Sequence, residues 1–260
     1  MVHEIELNGR TFSTQQGVND RFWRRVARGK WEPDTLAIFD TYVDSDTLVI
    51  DVGAWIGPTV LYAAPRAASC VGFEPDKIAY AELNANLELN KRQTWAKNVK
   101  IYDDAIHPSG EPIVIGSNGE GGDSMTSALL QNRENNWTVN TQRLQDVIAR
   151  DRGSAKKVFV KVDIEGGEYE LIPDIKEILT APDHTFLIAL HHRRLWKSIK
   201  QRHNSDPKWR DELIATLTTL VDALPWDREI LAHDNSVLTR EDLMTHVVKG
   251  DFPTDSLIIR

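Results

Sequence analysis

Short apolar, β-branched runs alternate with helix-period segments along most of this chain, and that alternation confines it to an α/β fold. The run 47–50 ends in Asp51, and a glycine-containing turn leads from it into a helical segment opened by Pro58 and stopped near Pro65. Cys70-Val71-Gly72-Phe73 repeats the pattern, followed by Glu74-Pro75 and a helix in which Tyr80, Leu83 and Leu87 share a face, with Asp76 as its N-cap. Further strands are expected at 99–102, 112–115, 158–162 and 185–190, and their nearly continuous apolar character suits a sheet covered on both faces. Trp209, Leu213, Leu217, Leu220 and Leu224 trace one helical stripe. Two late strands, 229–232 and 256–259, come without an evident helix between them. Repeated units of this kind predict a doubly wound sheet with right-handed crossovers, closed by an antiparallel pair at the edge.

The 260 residues, 41% of them hydrophobic, are enough for one large core, and no repeat or Pro/Ser-rich linker divides them, so a single domain over 1–260 is expected. Residues 1–35 read as an N-terminal extension with a small hairpin turning at Asn8-Gly9, and 36–260 as the sheet, with an insert near 191–227. The lone Cys70 excludes an intramolecular disulfide or a thiolate metal cluster. With no apolar run of roughly 18 residues and no basic, apolar leader at the N-terminus, a soluble cytoplasmic protein without a membrane span is expected. The sequon Asn136-Trp137-Thr138 is then expected to go unused. A net charge of −8 argues against general nucleic-acid binding. Two basic islands stand out: Arg21, Arg24, Arg25, Arg28 and Lys30 around Phe22, Trp23 and Trp31, and Arg193, Arg194, Lys197, Lys200 and Arg202 after His191-His192. Each reads either as a solvated helix face or as a site for an anionic partner. The glycine-rich 116–123 stretch is expected to be a flexible insert without ordered strand or helix.

The loop after the first strand of the sheet carries the most chemical information. In 49–57 an acidic residue, Asp51, closes the strand, and Gly53 and Gly57 shape the turn into the helix. This is not the G-x-G-x-x-G of a dinucleotide fold, where a carboxylate at position 51 would face pyrophosphate. A cationic ligand suits Asp51 better, and S-adenosylmethionine carries an ammonium group and a sulfonium without a phosphate. Glu74, at the end of the next strand, is placed to accept two ribose hydroxyls. The bland alternative is that Asp51 caps a helix and Glu74 is a surface charge.

The run 49–57, the turn Phe73-Glu74-Pro75 and the string Lys161-Val162-Asp163-Ile164-Glu165-Gly166-Gly167-Glu168 together resemble the FkbM family of S-adenosylmethionine-dependent methyltransferases. Supporting pieces are 84–90, Asp104-Ala105, 139–144 and Leu190-His191, and the likeness runs from about Glu32 to His192. Trp55 stands where the family more often has Asn, and Gly167 where it more often has Ala. The resemblance implies a class I methyltransferase fold: a Rossmann-like, mostly parallel sheet of seven strands, one of them antiparallel near the C-terminal edge. It implies S-adenosylmethionine bound by Asp51, Gly53, Ala54, Trp55, Gly57, Glu74, Pro75, Asp104, Ala105 and Asp163. It also implies O-methylation of a sugar, glycan or related natural-product hydroxyl.

Strand alternation places Lys161 and Asp163 on one face, with Asp163 at the carboxyl end where open α/β sheets bind ligands. Asp163, Glu165 and His191 are the candidate catalytic residues, His191 having a pKa suited to accepting a hydroxyl proton near neutrality. Glu165 and Glu168 read equally as helix N-terminal charge, and His192 is turned away. Asp163, Glu165 and His191 offer oxygen and nitrogen ligands to a Mg²⁺, but no closed ligand-spacing motif demands a metal. The segment after Leu190 is expected to form much of the acceptor pocket, its basic residues pointing to an anionic acceptor. Two alternatives stay open: a nucleic-acid methyltransferase acting on RNA, and a cofactor-binding protein without catalysis whose tryptophans form an interface.

Overall fold

The computed structural model describes residues 2–117, 119, 121–122, 125–130, 134–204 and 206–260. The chain opens with the hairpin β1 (Val2–Leu7) and β2 (Arg10–Gln15), followed by α1 (Asp20–Ala27) and α2 (Pro33–Tyr42). Then come β3 (Thr47–Val52), α3 (Pro58–Ala63), β4 (Ser69–Phe73), α4 (Lys77–Leu89), β5 (Val99–Tyr102) and the two-residue β6 (Ala105–Ile106). The middle holds β7 (Ile113–Ser117), β8 (Asn135–Val139), β9 (Thr141–Gln142), α5 (Leu144–Asp151), β10 (Lys157–Val162), α6 (Glu168–Asp174) and α7 (Lys176–Leu179). The chain closes with β11 (His184–Ala189), α8 (His192–Arg202), α9 (Trp209–Ala223), β12 (Ile230–Ala232), α10 (Arg240–Val247) and β13 (Ser256–Ile259).

Seven strands form the main sheet in the order β12-β13-β11-β10-β3-β4-β5. All neighbours from β11 to β5 run parallel, and β13 alone is reversed, inserted between β11 and β12. This is the mostly parallel, doubly wound arrangement expected from the sequence. The period of two along the strands divides the core. Leu48, Ile50 and Val52 of β3 and Val158, Val160 and Val162 of β10 pack with α5, α6 and α9, whereas Val49 and Phe159 face Phe39 of α2, Leu61 of α3 and the buried Trp23 of α1. Every residue of β3 is buried, as a strand covered on both faces requires.

The N-terminal hairpin turns at Asn8 (φ 50°) and Gly9 (φ 74°), the left-handed pair that a two-residue hairpin demands. Two buried asparagines, Asn86 of α4 and Asn90 at its C-cap, hold it to the sheet domain. Asn86 Oδ1 accepts the Gln15 amide at 2.8 Å, and Asn90 Oδ1 accepts that of Ser13 at 2.9 Å while its Nδ2 donates to the Ser13 carbonyl at 2.7 Å. Asp76 caps α4 as expected, accepting from the amides of Ile78 and Ala79.

Three expectations are corrected. The 112–115 run does not join the main sheet; β7 pairs antiparallel with β8 in a separate hairpin over the carboxyl ends of the strands. The glycine-rich stretch is ordered at its start, since Gly116 and Ser117 belong to β7 and Gly116 also bridges to Ser127, while Asn118, Glu120 and Asp123 lie outside the described residues. A helix, α10, does separate the last two strands. Its signal was present in Thr239-x-x-Asp242, a reciprocal capping box, with Leu243 and Val247 buried at i and i+4. Among the described residues no helix is long and apolar enough to cross a membrane.

Candidate active site

The carboxyl ends of β3, β4 and β10 meet at one cavity of about 370 Å³. Gly53, Ala54 and Trp55 form one side of it, Glu74 and Pro75 the second, Ala105 the third, and Asp163, Glu165 and His191 the far end. Gly53 is forced by close approach: at φ 84°, a Cβ there would stand 1.9 Å from the carbonyl oxygen of Asp163. The next turn is also left-handed at Trp55 (φ 48°), a conformation that asparagine adopts more readily than a bulky side chain. Glu74, an indole hydrogen bond and one aromatic contact hold it there. The Trp55 amide donates to Glu74 Oε2 at 2.7 Å, the Trp55 indole donates to the Gly122 carbonyl at 3.0 Å, and Phe22 meets the indole edge-on at 4.6 Å.

Glu74 is buried, and its second oxygen accepts the Asp76 amide at 2.8 Å. Burial pushes its carboxyl up to about 7, against the pull of those two amides. Each oxygen keeps a lone pair for a hydroxyl donor.

Three of the expected cofactor residues do not line this cavity. Asp51 is sealed beneath it, accepting from Lys161 Nζ at 3.1 Å and from the Thr59 hydroxyl. Burial raises its carboxyl despite Lys161, whose ammonium is in turn held well above its ordinary value by Asp51 and Asp163. The cause is register: Lys161 on β10 stands directly opposite Asp51 on β3. Gly57 (φ 95°) is the N-cap of α3, where a Cβ would strike Leu83, and Asp104 turns aside to accept from Gln142 Nε2 at 2.6 Å.

Asp163, Glu165 and His191 are brought together as expected. His191 Nε2 lies 3.5 Å from Asp163 Oδ1 and 3.2 Å from Glu165 Oε2, and its Nδ1 is 2.9 Å from Glu168 Oε1. The surrounding carboxylates outweigh the desolvation of the ring and push His191 up to about 9. The surrounding carboxylates thus favour the imidazolium over the neutral base that the sequence suggested. Glu165 stands in the left-handed region (φ 58°), pairs with Arg194 Nε at 2.7 Å, and has its carboxyl raised, mainly by burial. Asp163, Glu165 and His191 offer atoms within 4.8 Å of one another, a spacing able to hold a divalent ion.

Glu168, read as helix charge, is the anchor of this corner. Fully buried, it accepts the amides of Ile164 (2.9 Å) and Gly166 (2.7 Å) as well as His191. Phe22, Arg25 and Trp31 of the first basic island line the cavity, as do Glu32, Ile113, Ile115 and Ser127, which the sequence reading missed. Basic residues crowded among aromatics at 21–31 were the signal for the former; the latter left none. Arg194, Lys197 and Arg202 line a second, larger cavity of about 900 Å³ that shares Glu165 and Ser127 with the first, whereas Lys200 covers the rings of Trp196 and Trp209.

A methyltransferase FkbM domain profile matches residues 51–213. Among solved structures the chain is similar to a methyltransferase FkbM from Methylobacillus flagellatus (13% identity, TM-score 0.48), covering 95% of this chain and 56% of that one, so it spans little more than half of that protein. It is also similar to an rRNA methylase from Streptococcus thermophilus (10% identity, TM-score 0.39, covering 86% of this chain and 91% of that one). A third is an S-adenosylmethionine-dependent O-methyltransferase from Thermotoga maritima (12% identity, TM-score 0.38, covering 76% and 62%). No curated protein sequence matches the chain. With the FkbM profile extending over more than half of its length and the motif residues 53–55, 74–75 and 163–165 gathered around one cavity, the chain belongs to the FkbM methyltransferase domain family.

Proposed function

We propose that this protein is an S-adenosylmethionine-dependent O-methyltransferase acting on a hydroxyl of a sugar, glycan or related small molecule. The observation that carries the reading is one cavity lined by Glu74, by the Gly53 loop and by Asp163, Glu165 and His191. The residues present fit the cofactor: a buried carboxylate with lone pairs to spare suits a ribose diol, and an acidic far end suits a sulfonium. Glu74 would hold the ribose, and Pro75 and Ala105 would flank the adenine. When bound, the cofactor supplies a methyl carbon whose bond to sulfur breaks, leaving the electron pair on sulfur, as a bond to the acceptor oxygen forms.

Asp163 accepts the proton of that oxygen. His191, protonated and clamped by Glu168, fixes Asp163 and Glu165 in place and offsets their charge. Holding the acceptor in this geometry supplies much of the acceleration. The second cavity opens at Glu165; Arg194 and Arg202 on its wall are paired with Glu165 and Glu212, which leaves Lys197 as the basic group that supports an acceptor carrying negative charge. Isothermal titration of S-adenosylhomocysteine, with NAD as control, tests the reading: saturable binding of the former alone is expected, and no binding to folded protein refutes it.

A further inference from the structure

The charges left on the cavity wall beside the Gly53 loop belong to the N-terminal segment. Asp51, the residue expected to meet a ligand ammonium group, is closed off by Lys161 and Thr59, and Lys161 also takes the Gly53 carbonyl at 3.1 Å. Two oppositely charged side chains line the same cavity from the other side, Arg25 near the end of α1 and Glu32 at the N-cap of α2. The backbone puts them there under constraint. Glu32 is left-handed (φ 39°), and the neighbouring Trp31 meets Phe22 edge-on at 5.4 Å, with Phe22 in turn against Trp55 of the cofactor loop. The Arg25 Nε donates to the Lys30 carbonyl at 2.8 Å, which fixes the plane of the guanidinium and leaves its terminal nitrogens without a hydrogen bond among the described residues. The Glu32 carboxyl is raised by burial and by Asp163 and drawn back by Lys161, by a hydrogen bond from the Thr35 side chain and by Arg25, so it shares a field with Asp163 and Lys161.

We propose that Arg25 and Glu32 bind the zwitterionic amino-acid end of the cofactor, the guanidinium taking its carboxylate and Glu32 its ammonium group. This rests on the cofactor reading above. A ligand whose ribose is held by Glu74 needs one cation and one anion elsewhere on the cavity wall for its zwitterionic tail, and these two residues line that cavity. The N-terminal segment is then part of the cofactor site, with Phe22, Trp31 and Trp55 as the hinge that seats it on the sheet.

The test compares S-adenosylhomocysteine with 5′-methylthioadenosine, which keeps adenine, ribose and sulfur but lacks the amino-acid tail. Both are titrated into the full chain and into its Arg25→Gln and Glu32→Gln variants, with thermal unfolding followed in parallel. Each variant is expected to bind S-adenosylhomocysteine at least about 10-fold more weakly, the loss of a charged hydrogen bond, and 5′-methylthioadenosine within about 2-fold of the parent. Unchanged affinity for S-adenosylhomocysteine overturns the proposal, as does an equal loss for both ligands, which would make the two residues merely structural. A parent protein that binds neither ligand would instead refute the cofactor reading, and the proposal with it.

Discussion

Replacing Lys161 with Met should destabilise the protein through the carboxylate it leaves behind. Lys161 and Asp51 are 6% and 1% exposed, and Nζ lies 3.1 Å from Asp51 Oδ1. At an effective dielectric of about 20 that separation corresponds to about 5 kcal/mol of attraction, and removing one partner of a buried pair costs about 3–5 kcal/mol. Unfolding entropy of about 2.1 cal/mol/K per residue over 260 residues gives about 0.55 kcal/mol/K, so Tm should fall by about 5–9 °C at pH 7. Asp51 is an acid whose folded-state pKa lies above its unfolded one, and loss of Lys161 raises it further. The deficit is thus full above the folded pKa and shrinks as pH falls through it, so the gap between variant and parent should narrow as the pH is lowered from 7. Adding Asp51→Asn should recover most of the loss. Calorimetry at several pH values measures all three effects. A loss under about 1 kcal/mol at pH 7, or a loss that is indifferent to both pH and Asp51→Asn, would refute the reasoning.

Asp163→Asn should lower turnover by about 100-fold or more while leaving S-adenosylhomocysteine affinity within a few-fold, and full activity in a radiolabelled methyl-transfer assay would remove Asp163 as the base. His191, raised to about 9, contributes stability that is fully present below its ordinary value of 6.5 and lost as pH rises through about 9. Urea unfolding should therefore show a gap between parent and His191→Gln that closes from pH 6.5 to pH 10; a constant gap contradicts the ion-pair cluster. Gly53→Ala, with its Cβ driven against the Asp163 carbonyl, should lower Tm and abolish cofactor binding together, and normal titration by S-adenosylhomocysteine would show that the two loops can part.

Much of this molecule is legible in its sequence because the deciding interactions are local. Alternating apolar runs announced β3, β4, β10 and β11, Asn8-Gly9 announced the hairpin, and Asp76 announced the start of α4, each set by residues within one turn or one strand. Strand ends placed Gly53, Glu74 and Asp163 at the ligand edge of the sheet. The partners of those residues were not legible. Asp51 looked free until β10 lay beside β3 in a register that set Lys161 against it, and His191 looked like a neutral base until Glu168, Glu165 and Asp163 surrounded it. The N-terminal segment entered the site only because Asn86 and Asn90 hold its hairpin to α4 and because Phe22 and Trp55 pack together. Periodicity, caps and turns act over a few residues and can be read along the chain; protonation states and cavity walls depend on which distant charges and rings the sheet order brings within a few ångströms, and only the tertiary structure decides that.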